Sequence, residues 1–139
     1  MDVRVRSASY PSAFVQGVVK VVFDTNILVD YLQGIESARE ELARYERPGI
    51  SLITWMEVLI GAQDNGEDRL LRRFLDRFET LEIGEAVAEQ AVQLRKARRM
   101  RLPDAIIWAT AKAFDRLLVT RNTRDFPVSD PGVRVPYRI

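Results

Sequence analysis

The chain has 139 residues, 47% of them apolar and 29% charged, which suits one globular domain with a real core and leaves too little for two. The formal net charge of +1 does not by itself mark a nucleic-acid binder, although most of the basic residues are Arg, the side chain that grips phosphates through paired hydrogen bonds. Cys and His are both absent, which excludes disulfides, thiol or imidazole nucleophiles, Ser-His-Asp catalysis and zinc sites of the usual kind.

No apolar run approaches the roughly 18 residues of a membrane-spanning helix, and the N-terminus lacks the apolar stretch of a secretory signal. A cytoplasmic protein with no membrane partner is therefore expected. Residues 1–17 read as an N-terminal extension or arm: Asp2–Arg6 alternates like a short strand, and Ser7–Ser12 breaks it. Residues 18–139 are expected to form the single domain.

Val18–Phe23 is β-branched and aromatic, the profile of a strand buried on both faces. Asp24-Thr25-Asn26 ends it and opens a helix over Ile27–Gln33, stopped by Gly34. A charged, exposed helix is predicted over Ile35–Arg47, ended by Pro48-Gly49, then a second strand over Ile50–Ile53. Thr54–Gly61 turns helical. Asp64-Asn65-Gly66 reads as a turn, and Glu67–Phe78 is amphipathic with Leu70, Leu71, Phe74, Leu75 and Phe78 on one face. Leu81 and Ile83 suggest a short third strand. Helices follow over Glu85–Arg99 and over Pro103–Phe114, the latter with Pro in its first turn. Leu117–Thr120 is a buried strand, and Val133–Val135 an edge strand flanked by Pro131 and Pro136. Strands that alternate with helices predict an α/β fold: a three-layer α/β/α sandwich around a central, mostly parallel sheet of four to five strands.

Polar clusters sit at the ends of the apolar segments: Asp24, Glu57, Asp104, and Asn122 with Asp125. Each has a bland explanation. Asp24 can cap a helix. Thr54-x-x-Glu57 matches a capping box. Asp104 can complement a helix dipole, and Asn122-x-x-Asp125 can be a further cap. Jointly these leave unexplained why nearly every strand exit carries an acid or amide on one edge of the sheet, where open α/β sheets bind ligands. Several carboxylates held close repel one another, and a hard divalent cation resolves the conflict. The chain has no GxxxxGK[ST] and no GxGxxG. Acids without a phosphate-gripping glycine loop fit phosphodiester hydrolysis better than nucleotide binding.

Four blocks carry a resemblance: Val22–Asp30, Ser51–Gly61, Leu102–Ala111 and Leu118–Phe126. In order and spacing, the region from Val21 to Phe126 resembles the PIN-domain ribonucleases, specifically the VapC-type toxins of type II toxin–antitoxin systems. The resemblance implies a Mg²⁺- or Mn²⁺-dependent endoribonuclease, neutralised by a small antitoxin and usually dimeric. It carries Asp24, Glu57 and Asp104 over as metal-site acids. The family often has Asp at the fourth position, where this chain has Asn122 with Asp125 close behind, so either residue can complete the site. The first sixteen residues lie outside the resemblance.

Arg98, Arg99 and Arg101 lie just before Asp104, where they either end a helix in solvent or grip RNA phosphates. Arg121, Asn26 and Thr120 are expected to join them on RNA. Trp55 and Trp108, in apolar helical runs, are expected in the core or an interface. Tyr31, Leu32, Trp55, Leu59 and Ile60 exceed what a short sheet can cover, which suggests a two-fold homodimer. The resemblance further suggests an antitoxin segment that inserts an Arg toward Asp24 and Asp104. Phosphoaspartyl phosphatases are disfavoured, because Asn26 stands where their second Asp belongs; receivers are disfavoured, because no Lys follows Leu117–Thr120. The rival reading is a catalytically degenerate PIN-like module that binds RNA or protein.

Overall fold

The computed structural model describes residues 19–139, so the N-terminal arm lies outside the described residues. The elements run β1 (Val21–Phe23), α1 (Thr25–Leu32), α2 (Glu36–Ala43), β2 (Gly49–Ser51), α3 (Leu52–Ile60), α4 (Asn65–Leu75), β3 (Glu79–Leu81), α5 (Glu85–Arg98), α6 (Leu102–Ala113), β4 (Leu117–Val119) and β5 (Val133–Arg134). The five strands form one sheet in the order β3-β2-β1-β4-β5, and every pairing is parallel.

The two-residue period of a strand divides the core into two layers. Val21 and Phe23, with Leu117 and Val119 of β4, face one way, onto Ile27, Leu42, Val58 and Phe74 of the first four helices. Val22 and Leu118 face the other way, onto Val87 and Ala91 of α5 and Ile107 and Trp108 of α6. The register Val21↔Leu117, Val22↔Leu118, Phe23↔Val119 keeps like faces together. The result is a three-layer α/β/α sandwich, as the alternation of elements predicts. β1, β2 and β4 are buried along their whole length, which accounts for the continuous apolar runs of β1 and β4.

Several boundaries differ from the sequence reading, each for a local reason. The second strand ends at Ser51 instead of Ile53, because the Ser51 hydroxyl accepts from the Ile53 N–H at 3.2 Å and starts α3 there. Thr54 is therefore inside a helix, and the Thr54-x-x-Glu57 capping box does not form. Asp64-Asn65-Gly66 is a helix start: Asp64 Oδ1 accepts from the Glu67 N–H at 2.8 Å, and α4 runs Asn65–Leu75. α2 is shorter than Ile35–Arg47: it runs Glu36–Ala43 with Arg44 as its C-cap, and Pro48 keeps Arg47 out of helical geometry. It is also less exposed than expected, burying Ala38, Glu41 and Leu42. Both oxygens of Glu41 accept from Arg134 of β5, at 2.7 and 2.8 Å, a paired bond that ties the edge strand to α2. After α1 the chain turns at Gly34, whose φ of 83° is one that side-chain-bearing residues avoid.

Tyr31, Trp55 and Leu59 pack against the first core layer and are not part of an open face. Trp108 is fully buried in the second layer, edge-on to Phe126. The apolar side chains left outside include Val29, Leu32, Ile60 and Leu70. No described helix is long and apolar enough to cross a membrane.

Candidate active site

Because all pairings are parallel, β1 and β4 leave the sheet on the same edge, and each hands a polar residue to it. Asp24 follows β1 and caps α1: Oδ1 accepts from the Thr25 N–H at 2.7 Å. The bland and functional readings of Asp24 are therefore compatible. Its Oδ2 accepts from the Thr120 hydroxyl at 2.7 Å and from Asn26 Nδ2 at 3.2 Å. The carboxylate is buried, and burial pushes its pKa from 3.8 up to about 6, against the pull of the Thr120 and Thr25 hydrogen bonds. The charges of Asp104 and Glu57 push in the same direction as burial. Asp24 thus stands within the electrostatic reach of both other acids.

Glu57 is exposed on α3 and reaches the same edge through a hydroxyl relay. The Thr25 hydroxyl donates to Glu57 Oε1 at 2.7 Å. With its proton so used, Thr25 Oγ1 accepts at 2.9 Å from the buried Thr54 hydroxyl. Asp104 is buried in the first turn of α6, and Arg101 Nε approaches its Oδ2 at 3.3 Å. Arg101 itself is largely exposed.

Asn122 is turned onto its own loop. Its Oδ1 accepts from the Arg124 and Asp125 N–H groups, both at 3.1 Å, and its Nδ2 donates to Asp125 Oδ2 at 2.8 Å. The Asn122 N–H donates to Thr120 Oγ1 at 3.0 Å, which ties this loop to Asp24 through Thr120. No helix follows, so Asn122-x-x-Asp125 closes a turn of the Asx type and caps nothing.

The expected RNA-contacting residues fall into different places. Thr120 is fully buried and spent on Asp24, so it presents nothing to a surface ligand. Arg121 Nε and Nη2 bond the two oxygens of buried Asp30 at 2.6 and 2.9 Å. The Arg98 guanidinium lies 4.9 Å from the centre of the Trp108 ring. Arg99 ends α5 with a φ of 55° and, with Arg101, Arg121, Arg124 and Asn26, lines an open polar groove of about 870 Å³ beside the acids. A cleft of similar size, about 860 Å³, opens at the opposite edge beside Lys20 and Arg47, but its Glu79 is paired with Arg116.

Sequence reasoning gave no site role to Thr25, Asp30 or Tyr137, and read Thr54 only as a helix cap. Asp30 carried a readable signal: it follows Ile27 by one helical turn on the buried stripe of α1, where an acid needs a partner. Nothing local announces Tyr137, whose hydroxyl donates to Asp30 Oδ2 at 2.8 Å.

The described site supplies carboxylate, hydroxyl and amide groups, with neither imidazole nor thiolate. Hard cations prefer such oxygen donors. Among the described residues, no three acidic side chains are gathered tightly enough to hold an ion by themselves. The arrangement suits an ion of the kind held by one or two carboxylates plus water and phosphate.

Fold and site together define a class: a parallel α/β protein with an acidic, oxygen-lined site at its strand-exit edge. The PIN domain profile matches residues 21–128. Ribonuclease VapC10 of Mycobacterium tuberculosis is 31% identical over 127 residues, covering 86% of this chain and 94% of that protein. A toxin–antitoxin complex from Klebsiella pneumoniae contains a chain 43% identical, with a TM-score of 0.80 over 86% of this chain and 99% of that one. DNA-bound VapBC from Salmonella typhimurium gives 29% identity and a TM-score of 0.70 over 84% of this chain and 96% of that one. The chain belongs to the PIN-domain family and, within it, to the VapC-type ribonucleases.

Proposed function

We propose that residues 18–139 form one domain that cuts RNA internally, with help from Mg²⁺ or Mn²⁺, and that the protein is the toxin of a type II toxin–antitoxin pair. The observation that carries this reading is the buried Asp24 carboxylate at the β1 exit, under the field of Asp104 and Glu57. Asp24 and Asp104 would hold the ion, with Glu57 at its rim. When bound, the ion neutralises the acids and stabilises charge that develops on the phosphate oxygens.

The chain's own groups do the rest. Thr120, Thr25 and Asn26 fix the orientation of the Asp24 oxygens. The Thr25 hydroxyl holds Glu57 Oε1, leaving Oε2 to take a proton from water that attacks a phosphodiester. Arg101 offsets the charge of Asp104 until substrate arrives. Arg99 and Arg124 rim the groove where the RNA backbone would lie. Asn122 shapes the loop and Asp125 carries its acid.

The solved relative from Klebsiella pneumoniae is a toxin–antitoxin complex, which supports a small antitoxin as partner here. A disordered antitoxin segment that inserts an Arg toward Asp24 and Asp104 would match their charge and geometry. A homodimer through the apolar patch around Leu32 and Ile60, in the cytoplasm, completes the reading. The rival, a catalytically degenerate module, draws on Asn122 at the fourth position with its side chain turned inward. Cleavage of RNA by the purified protein, with added Mn²⁺ and with chelator, separates the two. Activity that needs the ion supports the nuclease; binding without cleavage supports the module.

A further inference from the structure

Behind the acids, three residues from distant parts of the chain meet at one carboxylate. Asp30 lies on the inner face of α1 and is 3% exposed. Its Oδ2 accepts from Arg121 Nε at 2.6 Å and from the Tyr137 hydroxyl at 2.8 Å, while Oδ1 accepts from Arg121 Nη2 at 2.9 Å. Arg121 follows the β4 exit, and Tyr137 lies beyond β5, with its ring packed against the first core layer.

A hydrogen-bonded path runs from this cluster to Asp24. The Arg121 backbone N–H donates to Asn26 Oδ1 at 3.3 Å, and Asn26 Nδ2 donates to Asp24 Oδ2 at 3.2 Å. A primary amide has one accepting end and one donating end. Anchoring its oxygen on Arg121 turns its amino group toward Asp24. With the amide reversed, two oxygens would face each other.

We infer that Asp30, Arg121 and Tyr137 form a clamp that positions Asp24, with Tyr137 a positioning residue and Arg121 committed to the clamp and not to RNA phosphate. The inference rests on the metal-dependent nuclease reading above. The paired bonds make Arg121 specific for Asp30. A phosphate that drew the guanidinium away would leave the buried Asp30 carboxylate without its cation, an unfavourable state. Arg121 therefore borders the groove without serving it, unlike Arg99 and Arg124.

The test compares wild type with Tyr137→Phe and Arg121→Gln by three readouts. These are the Asn26 side-chain amide resonances, single-turnover RNA cleavage with KM separated from kcat, and the salt dependence of RNA binding. Tyr137→Phe removes one hydroxyl and keeps the ring, so it folds even if Arg121→Gln does not. The clamp predicts that Tyr137→Phe shifts the Asn26 amide signals and lowers kcat about three- to tenfold, with KM unchanged; supporting groups one step nearer a metal typically cost 10–100-fold. Arg121→Gln should lower kcat at least as far and leave the salt slope unchanged. Unmoved Asn26 signals and unchanged kcat in Tyr137→Phe would overturn the clamp. A salt slope flattened by about one counterion in Arg121→Gln, with kcat intact, would make Arg121 a phosphate contact instead. If wild type cuts no RNA, the nuclease reading fails, and the Asn26 signals still decide the clamp.

Discussion

The Thr120 hydroxyl donates to Oδ2 of Asp24 at 2.7 Å, joining the exits of β4 and β1 where both residues are buried. This bond is the strongest influence holding the Asp24 pKa down against burial. Thr120→Val keeps the branched shape and removes the donor. Asp24 should then titrate above about 6, and the alkaline shift should appear in the pH profile of RNA cleavage. Stability at neutral pH should fall by about 1–3 kcal/mol, the usual range for a buried group that loses its partner. Carboxyl NMR titration and denaturant melts check both parts; an unmoved Asp24 titration would remove Thr120 from this role.

Asp24 also fixes a pH dependence of stability for the metal-free protein. Its folded pKa of about 6 lies above the ordinary 3.8. The native state therefore holds a proton that the unfolded chain has released, and stability falls as pH rises through that window. The two pKa values imply a cost of about 3 kcal/mol above pH 6, fully relieved below the unfolded value. Wild type minus Asp24→Asn should show this slope, with the variant the more stable protein near pH 7. Divalent ions should stabilise wild type and not the variant. Parallel urea melts from pH 4 to pH 7 measure the difference, and a difference that does not change with pH would contradict the assignment.

These relationships were unevenly legible in the residues. Asp24 and Thr120 stand where long apolar runs end, and the parallel pairing of β1 with β4 brings them to one edge. Glu57 drew notice through a local pattern with Thr54, but Ser51 takes the cap, and Thr54 instead supports Thr25. The Asp30–Arg121–Tyr137 cluster joins positions 91 and 107 residues apart, which no local period reports. Arg121 reads from sequence as one more cation for RNA, because charge patterning shows a charge and not its partner. Val133–Val135 was readable as an edge strand, whereas its tie to α2 through Arg134 and Glu41 depends on tertiary packing.

The arginines beside the site should separate by variant. Arg98 covers the Trp108 ring, so Arg98→Ala should cost about 0.5–2 kcal/mol of stability and leave RNA binding largely intact. Arg99 and Arg124 line the groove. Replacing each with Ala should weaken RNA binding and flatten the dependence on log salt by about one counterion per Arg. Filter binding of a single-stranded RNA between low and high salt reads the slopes. Equal slopes across all three variants would remove this division of labour.

The exposed apolar patch makes its own forecast. Leu32 is 43% exposed, Leu70 64% and Ile60 80%. Paired with a second copy, these side chains would leave water, whereas a charge placed among them would oppose pairing. Light scattering should report a mass near twice 16.0 kDa for wild type and near 16.0 kDa for Ile60→Glu, with unchanged circular dichroism. A wild-type monomer at tens of micromolar would count against the dimer.

Asp24 carries the central claim, and its isosteric amide tests that claim most directly. Asn at position 24 can keep the Thr25 N–H bond through its amide oxygen and donate its amino group to the Thr120 hydroxyl oxygen, so the fold should survive. It lacks the charge that would draw a divalent ion. End-labelled RNA incubated with Mn²⁺ should be cut internally by wild type and left intact by Asp24→Asn, with the loss at least a thousandfold, or about 4 kcal/mol of barrier. Cleavage by Asp24→Asn at the wild-type rate would contradict the account.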